Sequence, residues 1–231
     1  MTLKLKFNIP IAHSRPALTA ILCASALAEF VPQASADEFF TVPAGLGNSA
    51  GYTLPQSFGD QFTPLENLTV SEVGFWDPTG TGLNESHVVG IFNSSGALLE
   101  SGVVPVGTTG AWVDGFRYVA IAPLTLDAGQ TYTLAATLGL GTIEDGVGYT
   151  SPAGVNLSSE ISTSSDPSRY IFAGDASDLV YPTGPGVSAS FYVGPNFEFS
   201  GNSSSAPDGG STALMVSLGF AAVAGIRRKL A

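Results

Sequence analysis

The chain has 231 residues, 44% of them hydrophobic and 12% charged, with a formal charge of −11. The charge is uneven: between residues 37 and 205 only Arg117 and Arg169 stand against seventeen Asp and Glu, a balance that repels phosphate backbones and excludes a nucleic-acid-binding module. The aromatic and branched content is too high for a disordered acidic chain, and the lone Cys23 excludes a disulfide framework.

In chain order, residues 1–36 read as a secretory signal peptide that a signal peptidase removes. Lys4, Lys6 and Arg15 form a basic region, Ala17 to Leu27 an apolar helical one, and Ala34-Ser35-Ala36 a small-residue cleavage site. The mature chain then starts at Asp37. Lipidation of Cys23 would need a small residue just before it, and Leu22 stands there.

Residues 37–200 read as one domain, long enough to bury a substantial core. Gln56 to Phe62 is a short strand. Leu68 to Phe75 alternates, but Leu68 and Val70 share one parity and Val73 and Phe75 the other, so a β-bulge at Ser71-Glu72 is expected. His87 to Phe92, the turn Asn93-Ser94-Ser95-Gly96 and Ala97 to Val104 form a hairpin. Phe116 to Ile121 follows, then the turn Asp127-Ala128-Gly129-Gln130. Thr131 to Leu138 alternates strictly, with Tyr132, Leu134, Ala136 and Leu138 expected inward. Gly148 to Thr150, Tyr170 to Phe172, Val187 to Val193 and Asn196 to Ser200 are further short strands. Strands at short spacing, Gly, Pro and Asx turns, and no helical period predict an all-β, antiparallel β-sandwich, jelly-roll-like, of about eight to ten strands. The signal helix and a C-terminal apolar helix lie outside it.

Residues 201–206 are a flexible Gly/Asn/Ser linker. Residues 207–231 have three parts: Pro207-Asp208-Gly209-Gly210-Ser211, an apolar stretch from Thr212 to Ile226, and the cations Arg227, Arg228 and Lys229. The stretch has no polar face, so an amphipathic surface helix is excluded. As a helix it is about 22 Å long, a short membrane span that a terminal basic cluster would stop on the cytoplasmic side. The rest of the chain then lies outside.

This three-part tail resembles the C-terminal sorting signals of exosortase-processed bacterial proteins, the PEP-CTERM class, and within it the VPDSG-CTERM variant. Ala206 stands in place of the Val, and Gly209 in place of the Ser, of that name. The resemblance implies transient insertion in the inner membrane, recognition by an exosortase-type processing enzyme, and delivery to the cell surface, envelope or extracellular matrix, where polysaccharide is the expected company. A second resemblance runs from Phe62 to Leu138, on Val73-Gly74-Phe75-Trp76-Asp77, Ser86 to Phe92 and Leu126 to Tyr132. It is to a bacterial extracellular β-sandwich domain of unknown function, and it implies a fold and no catalytic residue.

The chemistry available to the middle is narrow. His87 is the only His there, so zinc sites built on His and Cys and a Cys-His pair are excluded, and no Gly-x-Ser-x-Gly elbow is present. His87 is expected as a structural His hydrogen-bonded to a neighbouring loop. Loop acids would suit calcium, which takes six to eight oxygens: Asp77, Asn84 and Glu85 bracket one Gly-rich loop, and Asp175 and Asp178 sit in another. Trp76 and Trp112, with Tyr149, Tyr170 and Tyr181, lie near strand ends, where aromatic faces stack on sugar rings. The reading is an exported, surface-targeted, non-catalytic β-sandwich protein associated with extracellular polysaccharide or the envelope matrix. Its alternatives are a glycan hydrolase using paired carboxylates and a self-associating adhesin or appendage subunit.

Overall fold

The structure is a computed structural model that describes residues 36–43, 46, 55–139, 145–173, 175 and 178–201. The signal helix, Ala34 of the cleavage site, the sorting motif Pro207 to Ser211, the apolar helix and the cations Arg227, Arg228 and Lys229 lie outside the described residues. Ala36 is exposed and directly precedes the first strand.

The described residues form sixteen strands and one 3-10 turn, Pro152–Gly154. In chain order the strands are β1 (Asp37–Glu38), β2 (Phe40–Thr41), β3 (Gln56–Pro64), β4 (Leu68–Trp76), β5 (His87–Asn93), β6 (Leu98–Val104), β7 (Ala111–Val113) and β8 (Phe116–Leu126). They continue as β9 (Tyr132–Leu138), β10 (Gly148–Thr150), β11 (Asn156–Leu157), β12 (Ile161–Ser162), β13 (Ser168–Phe172), β14 (Gly184–Pro185), β15 (Phe191–Val193) and β16 (Pro195–Gly201). Every pairing is antiparallel.

Two sheets make the sandwich. One has the order β1-β16-β4-β8-β7; the other runs β14-β13-β3-β9-β5-β6, with β12 also on β3. Two short ribbons, β10-β15 and β11-β2, complete the fold. Hairpins such as β5-β6 and β7-β8 pair consecutive strands, whereas β4 and β8, or β5 and β9, are sheet neighbours far apart in sequence, because the chain switches sheets between β3 and β4, β4 and β5, β6 and β7, and β8 and β9.

The core between the sheets is aromatic. Phe58 of β3 meets Phe75 of β4 edge-on at 6.2 Å, and Phe62 of β3 meets Phe197 of β16 at 5.2 Å. Phe39, between β1 and β2, lies 5.0 Å from both Phe62 and Phe197 and stacks on the latter. Each fully buried Phe contributes roughly 1.5–3 kcal/mol relative to exposure. The predicted bulge is present: against β16, Glu72 and Val70 pair with adjacent residues Glu198 and Phe199, leaving Ser71 as the extra residue. Against β8 the register shifts at the same place. The shift returns Val73 and Phe75 to the face that Leu68 and Val70 occupy, and all four are buried.

The structure shortens the strand expected over Val187 to Val193 to Phe191–Val193, because residues 187–190 form a turn, and it adds β7. It also extends the sequence reading. Strand β8 continues to Leu126, taking in residues 122–126 beyond the predicted end. Strand β9 buries Thr133, Ala135 and Thr137 as well as the expected inward set. The second burial comes from residues 178–182, which cross the outer face of the larger sheet. There Ser57 Oγ donates to Asp178 O (3.3 Å) and accepts the Val180 N–H (2.9 Å). Tyr181 packs on Phe92, ring centroids 5.5 Å apart, and Leu179 reaches Gly90, where a Cβ would meet it at 2.7 Å.

Candidate functional site

Two parts of the molecule gather the residues that the sequence singles out. The first is the loop cluster after β4. Asp77 is 3% exposed; its Oδ2 accepts the Gly82 N–H (3.0 Å) and Arg117 Nε (2.8 Å). The Arg117 guanidinium also donates to Gly80 O (2.7 Å), Thr108 O (3.1 Å) and Gly110 O (3.4 Å). One cation thus ties two Gly-rich loops, and Gly82, at φ +107°, lies too close to the Gly107 backbone for any side chain. Trp112 donates its indole N–H to Asp77 O (2.9 Å) and lies over Gly80, leaving it 48% exposed. Trp76 is buried, 3% exposed, against Gly148 and Gly115.

Asn84 and Glu85 face a different partner. The Asp145 carboxylate accepts the Asn84 N–H (2.7 Å), the Asn84 side-chain amide (2.9 Å) and the Glu85 N–H (3.0 Å). Glu85 Oε1 accepts the Gly139 N–H at 3.0 Å. His87 completes this network. Its Nδ1 donates to Thr137 O (2.8 Å), and its Nε2 lies 3.0 Å from Asp145 Oδ2. A carbonyl can only accept, so the Thr137 contact places a proton on Nδ1. Burial alone would raise the Asp145 carboxyl; His87 and the two backbone N–H groups outweigh it and hold the carboxyl below its ordinary value. The ring is fully buried and stacks on Phe75 at 3.5 Å.

The three residues expected to suit calcium are therefore divided between two networks, and each side chain already has a protein partner. Asp77 Oδ2 is engaged by the Arg117 guanidinium. Among the described residues, no group of three or more His, Cys, Asp or Glu is arranged to hold a metal ion. Asp178 offers its backbone carbonyl to Ser57, as above.

The second part is a groove of about 310 Å³ at an open edge of the sandwich. One wall is the edge of the larger sheet, with Tyr170 and Phe172 of β13, Gln56 of β3 and Pro185 of β14. The other is the β10-β15 ribbon, with Tyr149 and Tyr192 facing each other across it; Gly186 and Val187 close one end. Tyr170 and Phe172 meet edge-on at 5.6 Å, and Tyr149 lies 5.2 Å from Tyr192. Phe172 is 59% and Val187 51% exposed, an unusual degree for adjacent apolar side chains.

The groove is set in place from beneath. Tyr192 packs edge-on against Phe58 at 5.5 Å, and its N–H is accepted by Asp60 Oδ1 (3.1 Å), a carboxyl buried between the sheets. Burial pushes the Asp60 carboxyl well up, against the lowering pull of the Tyr192 N–H and Arg169. Burial likewise raises the phenols of Tyr149 and Tyr192, with Tyr149, Asp60 and Tyr170 adding to the rise at Tyr192 and the Val187 backbone opposing it. The groove thus presents neutral rings with hydroxyl tips.

Sequence reasoning named Tyr149 and Tyr170 but missed Phe172, Tyr192 and Gln56. The period-2 position of Tyr170 and Phe172 on one strand was the available signal; that β10 and β15 stand opposite them was not readable locally. Tyr181, also expected near sugar, packs instead on Phe92 and Gly96 outside this groove.

The fold and groove define an all-β sandwich whose surface cleft is aromatic. Comparison with known proteins adds the address: the VPDSG-CTERM motif family matches residues 207–230. That match supports a PEP-CTERM-like sorting signal, processing by an exosortase-type enzyme, and export of the protein to the cell surface or envelope. No curated protein matches the chain. Among the described residues no helix is long and apolar enough to cross a membrane.

Proposed function

We propose that the mature protein is a non-catalytic, surface-delivered module that binds polysaccharide of the extracellular or envelope layer through the Tyr149–Tyr170–Phe172–Tyr192 groove. The observation that carries this reading is the clustering of four aromatic rings, two of them from an exposed sheet edge, in one open cleft. Sugar rings offer apolar C–H faces to such rings, while their hydroxyls meet the phenol and amide tips. None of the eight lining residues is an Asp or Glu. Glycoside hydrolysis needs two carboxylates about the scissile bond, so the lining favours binding over cleavage. The sorting tail supports the location, since it delivers the domain to the layer where such chains lie.

The test uses the exported protein purified from cells and a panel of immobilised polysaccharides. Tyr170→Ala and Phe172→Ala each remove one ring, about 1 kcal/mol, or roughly fivefold in Kd. The melting temperature of Phe172→Ala should match the wild type, because that side chain is already in solvent. Binding that both variants leave unchanged, or no binding to any member of the panel, overturns the reading.

A further inference from the structure

The groove's surroundings also bear on the charge of its ligand, an inference that rests on the binding role proposed above. The domain carries two Arg and no Lys, and both guanidinium groups are consumed by its own structure. Arg117 is buried in the loop network with Asp77, its side chain 7% exposed. Arg169 neighbours Tyr170 on β13, but adjacent strand residues point to opposite faces. Its guanidinium donates to Gln61 Oε1 (2.7 Å), Asp166 O (2.9 Å) and Ser168 O (2.7 Å). Among the described residues, no Lys, Arg or His lines the groove. The domain as a whole is acidic, with seventeen Asp and Glu against two Arg between residues 37 and 205.

Recognition of a carboxylate or sulfate on a sugar calls for a charge-assisted donor, usually Arg or Lys. This groove supplies none, and the field of the whole domain opposes the approach of a polyanion. Stacking on neutral rings needs no such partner and involves no charge, so it is insensitive to salt. We propose that the ligand class is a neutral polysaccharide, and that the site discriminates against uronate- and sulfate-bearing chains.

The experiment measures binding of the exported protein to dextran, laminarin, xyloglucan and hydroxyethylcellulose, and to alginate, pectate and heparin, at about 20 mM and about 500 mM salt. The expected result is binding to at least one neutral chain with a Kd that salt leaves unchanged, and binding to every polyanion weaker by roughly tenfold or more at low salt. That gap should narrow at high salt as the repulsion is screened. A polyanion bound at low salt as tightly as the best neutral chain, and weakened by Tyr170→Ala, overturns the charge inference while leaving the groove in place. Binding of any chain that Tyr170→Ala and Phe172→Ala both leave intact overturns the groove itself, and so does a panel with no binder; either result removes the charge inference with it.

Discussion

Arg117 shows what a single residue does in this domain. It is buried with Asp77 and satisfies carbonyls of both flanking loops. Removing one partner of such a pair leaves the other charge buried and unpaired. Arg117→Met is expected to lower the unfolding free energy by about 3–5 kcal/mol. Urea denaturation measures this; a change under about 1 kcal/mol would mean that the network is dispensable. His87 illustrates the same logic with a different outcome for sequence reading. A lone His on a strand was expected as a structural residue held by a loop, and it is held by Asp145 and Thr137. The sequence could not name Asp145, 58 residues away, because nothing local marks it.

Among the elements, β1 is the most exposed to conditions. It is two residues long and pairs only with β16, where Glu38 lies opposite Glu198, itself opposite Glu72 on β4. Among the described residues, neither carboxyl oxygen of Glu38 nor the Tyr118 hydroxyl near it has a hydrogen-bond partner. Burial first, and then Asp114 and Glu198, push the Glu38 carboxyl up from 4.5 to about 7; the Tyr118 hydroxyl is close enough to pull the other way, though not in hydrogen-bonding geometry. Asp37 and Glu160 face Glu38 from the adjoining polar pocket. A raised carboxyl favours the folded state in its protonated form. That stability is fully present below about 4.5, declines as pH rises, and is lost above about 7, when the folded state too has released the proton. The wild type should therefore melt at a lower temperature at pH 8 than at pH 5. In Glu38→Gln the difference should shrink. Equal pH profiles for the two proteins would show that Glu38 does not carry the effect.

Elements also show where local pattern suffices. The β4 bulge was legible because a parity slip among Leu68, Val70, Val73 and Phe75 has only one simple remedy when all four must face one core. The turn at Asn93 was legible because its side chain can accept nearby N–H groups, as Asn93 Oδ1 does from Ser95 and Ala97, and because Gly96 supplies φ +81°. Strands of two residues, such as β11, β12 and β14, were not, since such segments have too few positions to show a period.

For the whole molecule, the domain and its address separate. The sorting motif match covers residues 207–230, beyond the last described strand, β16, which ends at Gly201. Deletion of residues 207–231 is expected to move the protein from the envelope fraction to the periplasm or the medium, with its polysaccharide affinity intact. Cell fractionation decides the first part: the same location with and without the tail would overturn the sorting role. Intact mass of the mature wild-type protein would fix both ends, with Asp37 as the expected first residue.

The sequence by itself determined the export address, the all-β class and the bulge. Each follows from composition or from a pattern read over a few neighbouring residues. Only the tertiary structure decided what the polar and aromatic residues do. Asp77, Asn84 and Glu85 lie within nine positions of each other, yet they serve two networks because their partners, Arg117 and Asp145, come from distant strands and loops. Tyr149, Tyr170 and Tyr192 span more than forty positions, yet they share one groove because β13 and the β10-β15 ribbon meet at the open edge of the sandwich. Strand periodicity says which face a side chain takes; which strands stand opposite that face depends on sheet-switching connections that leave no local trace.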